Sequence, residues 1–84
     1  MSSIIALREE LAPFVGERVV ALLEEALLGA PVNDDLTEAE ALLIAWGSSR
    51  AAGEQLDPAA AERFERTFTP ALRSRLDAFA AALA

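Results

Sequence analysis

The sequence predicts an all-α protein, a small bundle of four to five helices in one domain over residues 1–84. Three observations lead to this prediction. Apolar side chains recur at helical spacing along the whole chain. Glycine, proline and capping residues divide the chain into short segments, and no segment alternates apolar and polar residues as a strand would. We expect a central apolar helix over about residues 38–52, packed between helices over residues 13–28 and 70–83.

The first helix is predicted over residues 3–12, with Ser2 or Ser3 as its N-cap. Its apolar positions follow the spacing i, i+3, i+7 and are Ile4, Leu7 and Leu11. Pro13 then interrupts the pattern, because proline cannot donate a hydrogen bond to the carbonyl of Glu9 and its ring clashes with that group. The helix therefore either ends and restarts with Pro13 in a new first turn, or continues through a kink.

A second apolar stripe follows and extends to about residue 28. Its members are Val15, Val19, Leu22, Leu23, Ala26 and Leu27. Gly29, followed closely by Pro31, is typical of the end of a helix. Residues 30–36 are predicted to form a polar loop.

The strongest local signal is the segment Thr37-Glu38-Ala39-Glu40, which has the spacing of a capping box. Every residue from Ala41 to Trp46 is apolar, which is typical of a helix in the middle of a domain or in an interface. This helix either stops at Gly47 or continues to about Ala52 and stops at Gly53.

Two further helices are predicted from repeated use of one device, a capping residue followed by proline. Asp57-Pro58 opens a helix whose core face is Ala61, Phe64 and Phe68. Thr69-Pro70 opens the last helix. Its apolar stripe is Leu72, Leu76, Phe79 and Leu83.

The apolar content suggests a small core that favours self-association. Apolar residues make up 54% of the chain, but 19 of these 45 residues are alanines, which bury little area each. The candidates for an interface are Trp46, Leu43, Phe14 and Phe68. Trp46 is the first choice because tryptophan is enriched at binding hot spots and this one ends the apolar helix. The alternative for the aromatic residues is core packing, since each lies in phase with aliphatic neighbours.

The net charge of −7 belongs entirely to the first half of the chain. Residues 1–42 carry nine acidic residues and two arginines, whereas residues 43–84 carry five of each. Such an acidic half repels phosphate backbones and attracts a basic protein surface. The alternative is that it only keeps the protein soluble.

The residue types that are missing restrict the chemistry. There is no histidine, lysine, cysteine or tyrosine, so the common general bases and the thiolate nucleophile are unavailable. We therefore expect no enzymatic activity, no cofactor and no metal site. The absence of cysteine favours a reducing compartment, and we expect a cytoplasmic protein. The longest apolar runs, Ala41–Trp46 and Ala78–Ala84, are too short to cross a membrane, and no basic-then-apolar leader is expected near Met1.

Three hypotheses for function remain. The leading one is a non-enzymatic protein–protein interaction module, such as a small adaptor, a subunit or a homo-oligomer, that uses its apolar helix faces and its acidic half. The first alternative is a transcription regulator or other nucleic-acid-associated module that uses Arg63, Arg66, Arg73 and Arg75. The second is a small acidic ligand carrier or carboxylate enzyme built on the doublets Glu9-Glu10, Glu24-Glu25 and Asp34-Asp35.

Overall fold

The computed structural model describes residues 3–83, and over this range the chain forms five helices and no strand. The helices are α1 (Ile4–Val15), α2 (Glu17–Leu27), α3 (Glu38–Ala51), α4 (Pro58–Thr67) and α5 (Pro70–Leu83). The predicted all-α bundle is confirmed, as is the apolar helix expected over about residues 38–52.

Local capping signals correctly predicted where most helices begin. The side chain of Ser3 caps α1; the other candidate, Ser2, lies outside the described residues. Thr37 opens α3 with both hydrogen bonds of a capping box. The carboxylate of Asp57 accepts the backbone N–H of the third residue of α4, and the hydroxyl of Thr69 does the same at α5. Each of these caps satisfies a backbone donor that the helix itself cannot pair.

At Pro13 the structure shows the second of the two alternatives, continuation of the helix, but the boundary with the next helix lies later than expected. α1 continues through Pro13 to Val15, and the helix ends at Gly16 instead. Pro13 removes the hydrogen bond to the carbonyl of Glu9, but the helical pattern resumes beyond it, since the backbone N–H of Gly16 still donates to the carbonyl of Ala12. The helix expected over residues 13–28 therefore begins only at Glu17.

The packing order of the helices also needs a correction. α3 packs against α2 and α4, whereas α5 packs against α1 and α2. The expectation that α3 lies between its predecessor and α5 is thus correct only for the predecessor. The reason is that α2 is buried along two sides, with Val19, Val20, Leu22, Leu23 and Ala26 all in the core, so it can contact three helices at once.

All five helices contribute to one hydrophobic cluster. Its most deeply buried large side chains are Phe79, Leu11, Leu23, Leu43, Leu76 and Val19. No polar or charged residue within residues 3–83 is buried. The charged side chains therefore all reach the surface, although Nε of Arg73 is buried and has no hydrogen-bond partner.

Candidate functional site

The structure separates the four predicted interface residues into two groups. Leu43 is 1% exposed and Phe68 is 8% exposed, so both are covered by the chain itself. Their burial corrects the interpretation of these two residues as interface candidates. The sequence did not separate the two roles, since a core position and an interface position have the same helical spacing. Trp46 is half-buried and Phe14 is 56% exposed, so only these two retain surface for a partner.

Trp46 lies at the edge of an open cleft between α3, α4 and α5, with a volume of about 560 Å³. Its ring stacks on Phe64 with 5.7 Å between the centroids and an interplanar angle of 13°. The guanidinium of Arg50 lies 5.7 Å from the centre of the same ring. Much of the ring surface is thus already used inside the chain, which indicates a packing role for Trp46.

The charges of this cleft largely pair with one another. Arg50 contacts Asp77 at 3.3 Å, and Arg73 approaches Glu65 at 3.9 Å. Glu54 adds a further acidic group to the lining. With both signs interspersed, the cleft offers no clear preference for a cationic or an anionic ligand.

The four arginines of the nucleic-acid hypothesis do not form one surface. Arg63 and Arg66 lie on α4, where they share a shallow depression with Glu38 of α3. Arg73 belongs to the cleft beside Trp46, and the guanidinium of Arg75 lies 5.3 Å from the ring centre of Phe14. Within residues 3–83 these arginines therefore provide no continuous track for a phosphate backbone.

A second groove lies between α1 and α2. A single residue, Gly16, connects the two helices. Arg8 of α1 forms an ion pair with Glu24 of α2, and these positions are equally distant from Gly16. The two helices therefore form a helical hairpin that this ion pair bridges, and the groove lies between them.

The groove has an apolar floor and an acidic rim, and its volume is about 510 Å³. The α2 residues that line it lie on one helical stripe, spaced i, i+3, i+4, i+7, i+8 and i+11. They are Glu17, Val20, Ala21, Glu24, Glu25 and Leu28, the last being the C-cap. α1 contributes Arg8, Glu9 and Ala12. Four glutamates and one arginine thus surround an aliphatic floor, a net charge of −3.

An exposed apolar side chain marks one end of this groove. Leu28 lines the groove and is 63% exposed. Ile5 is 64% exposed and lies on the same face of α1 as Glu9 and Ala12, at spacing i, i+4, i+7. One large apolar side chain, that of Leu28, therefore remains in water at the groove itself, and that of Ile5 remains in water on the face of α1 that carries Glu9 and Ala12.

Sequence reasoning missed both of these residues. Ile5 and Leu28 each stand directly beside a member of a core stripe, Ile4 and Leu27 respectively. Adjacent positions on a helix point about 100° apart, so both members of such a pair are buried only where the helix is covered on more than one side. Each pair of adjacent large apolar residues was therefore the signal in the sequence that could have identified an exposed member.

Among the described residues, no three acidic side chains come close enough together to hold a metal ion. Glu40 has a lowered pKa, first because its carboxylate accepts the backbone N–H of Thr37 and also because Arg18 lies nearby. That hydrogen bond belongs to the helix cap, so the shift has a structural cause.

Comparison with the models of known protein families, with curated proteins and with solved structures yields no match to this chain. None of the helices within residues 3–83 combines the length and the apolar character that crossing a bilayer requires.

Proposed function

We propose that this protein is a non-enzymatic protein–protein interaction module and that the groove between α1 and α2 is its docking surface. The observation that carries the proposal is the exposed Leu28 at the mouth of an apolar groove bordered by glutamates. An apolar surface with a polar rim is the usual composition of a protein docking site. The acidic half of the chain gains a specific role in this proposal, beyond solubility.

The composition of the chain and the charge of the groove also suggest a cellular location and a kind of partner. A chain without cysteine suits a reducing compartment, and we propose the cytoplasm. The partner is a protein with a basic surface, since the groove repels anionic lipids and nucleic acids.

Self-association would use another face, because two acidic grooves repel each other. The exposed Phe14 is the largest apolar side chain available away from the groove.

A site-specific cross-linking experiment tests the docking surface. Ala21 lines the groove and is exposed, so it accepts a benzoylphenylalanine in place of its methyl group. Irradiation of native host cells should link position 21 to a distinct polypeptide, and the additional change Leu28→Asp should abolish that product. The control carries the same cross-linker at Ala59, which is exposed on α4. The proposal fails if both positions give the same products or if position 21 gives none.

Light scattering after gel filtration tests self-association separately. If the protein is a dimer that uses Phe14, the change Phe14→Ser should shift it to a monomer while helicity is retained. Leu28→Ser should leave the oligomeric state unchanged. A wild-type protein that is monomeric at all concentrations would remove self-association and leave the groove proposal intact.

A further inference from the structure

We infer that the groove between α1 and α2 binds an amphipathic helix whose apolar stripe is bordered by lysine or arginine, and that Arg8 is a built-in competitor for this ligand. The inference rests on the proposed docking function and specifies its partner.

The shape of the groove favours a helix over an extended segment. An extended peptide needs backbone partners for its own N–H and C=O groups, as a sheet edge would provide. Both walls here are helices, and apart from the helix ends and the carbonyl of Glu9, which Pro13 cannot pair, their backbone groups already bond within the helix. A helical ligand satisfies its own backbone and needs only side-chain contacts. From Glu17 to Leu28 the α2 wall is about 17 Å long, enough for about three helical turns.

The lining then selects the side chains of that helix. Ala12, Val20 and Ala21 form a floor of small and branched aliphatic groups, so large apolar side chains such as leucine fit above them. Glu9, Glu17, Glu24 and Glu25 border the floor. An acidic helix would be repelled, and a neutral helix would remove water from these carboxylates without replacing it. A cationic border on the ligand supplies the missing partners.

Arg8 occupies one of the positions that a ligand cation would take. Its guanidinium reaches across the groove to the carboxylate of Glu24. The Glu24 side chain is only 24% exposed. Water therefore screens its interaction with a cation less than it would for a fully exposed carboxylate. A ligand that pairs with Glu24 must first displace Arg8. Removing the charge of Arg8 therefore frees the best-shielded carboxylate of the rim and should increase the affinity for a cationic helix.

The probe is a fluorescein-labelled peptide of about 14 residues, with leucines at helical spacing and lysines at the other positions, about 21 Å long when helical. A second peptide carries glutamate in place of each lysine. Fluorescence anisotropy of both is measured against the full chain at about 50 mM salt, where exposed charges are only partly screened. The lysine peptide should bind saturably with one peptide per chain, and the glutamate peptide should not bind.

Matched variants separate the groove from general attraction to an acidic protein. Glu17→Gln combined with Glu25→Gln should weaken binding about 5- to 20-fold, whereas Glu54→Gln combined with Glu62→Gln, with the same change in net charge, should change it less than about 2-fold. Arg8→Gln should strengthen binding about 3- to 10-fold. Arg18→Gln, which alters net charge equally but pairs with Glu40 outside the groove, should have little effect. Circular dichroism confirms that each variant is folded.

Several results would overturn the inference. They are equal binding of the two peptides, equal effects of the groove variants and their matched controls, or weaker binding by Arg8→Gln. If position 21 cross-links to a polypeptide while the lysine peptide shows no preference for the groove, the proposed docking function stands and only this account of the ligand falls. If position 21 yields no cross-link, the docking function itself fails.

Discussion

Gly47 of α3 lies directly against Leu23 of α2. A Cβ atom built on Gly47 would lie 2.9 Å from Cδ1 of Leu23 and 3.3 Å from the Cβ of Ala26. Leu23 and Ala26 are both fully buried, so neither has free space into which it can move. The absence of a side chain at residue 47 therefore allows α2 and α3 to pack this closely here.

The change Gly47→Ala should lower the free energy of unfolding by about 1–2 kcal/mol. Overpacking a filled core costs about 1–3 kcal/mol, and the better helix propensity of alanine offsets up to about 1 kcal/mol of it. Ser48→Ala, at the exposed neighbouring position, should change stability by less than about 0.5 kcal/mol. Urea unfolding followed by circular dichroism measures both. A stabilised Gly47→Ala variant would contradict the close packing.

Gly16 should be intolerant of any L-amino acid. Its φ of 87° and ψ of 150° lie in a region that is essentially restricted to glycine. A methyl group there would meet nothing within 4 Å, so the cost of Gly16→Ala is conformational alone, about 1–3 kcal/mol. D-alanine at this position, introduced by chemical synthesis, should recover part of the loss because it prefers positive φ. Equal losses for the two alanines would contradict this explanation.

Trp46→Ala should destabilise the fold without changing the oligomeric state. The half-buried ring stacks on Phe64, and its removal leaves a cavity that costs about 2–4 kcal/mol. Phe14→Ala, which removes a largely exposed ring, should cost less than about 1 kcal/mol. Thermal unfolding measures the change in stability, and light scattering measures the oligomeric state. If Trp46→Ala dissociates an oligomer while the monomer remains fully stable, Trp46 is an interface anchor after all.

Glu40 should contribute a pH-dependent part of the stability. Its pKa is lowered in the folded state, chiefly by the backbone N–H of Thr37 and further by Arg18. A group with a depressed folded pKa stabilises the protein when the pH is above its unfolded pKa, and that stabilisation is lost as the pH falls through the folded pKa. The contribution is thus complete at neutral pH, begins to fall as the pH approaches the unfolded pKa of 4.5, and is lost as the pH falls through the lower folded pKa.

The variant Glu40→Gln tests this relationship. Glutamine still accepts the N–H of Thr37 but cannot titrate, so the variant should be less stable than wild type at pH 7. The difference should shrink steadily as the pH is lowered to about 3. Glu62→Gln, on the exposed face of α4, serves as the control for a change in net charge. A difference for Glu40→Gln that stays constant with pH would contradict the lowered pKa.

Much of the fold follows from local energetics that the sequence contains directly. Thr37, Asp57 and Thr69 start helices because each supplies an oxygen to backbone donors three residues away, and that requires no distant contact. The break after α1 was harder to place. Pro13 and Gly16 are both helix breakers, and residues close by in the sequence do not distinguish which of the two ends the helix.

The docking groove depends on tertiary structure. In the sequence, Glu17, Glu24 and Leu28 lie outside the apolar stripe of their helix, so they resemble an ordinary solvated face. They become one wall of a groove only because the hairpin at Gly16 places Arg8 and Ala12 opposite them. Leu43 and Trp46 show the same limit, since helical spacing identifies apolar positions but not the partner that covers them.

The sequence by itself thus determined the helices, their caps, the segregation of charge and the shortage of reactive side chains, because each of these depends on residues close together in the chain. Only the tertiary structure decided that α2 contacts three helices, that Leu43 and Phe68 are core residues and that an acid-rimmed groove remains uncovered. These outcomes depend on which helix faces pair, and the free energy of pairing is set by shape complementarity between residues far apart in sequence.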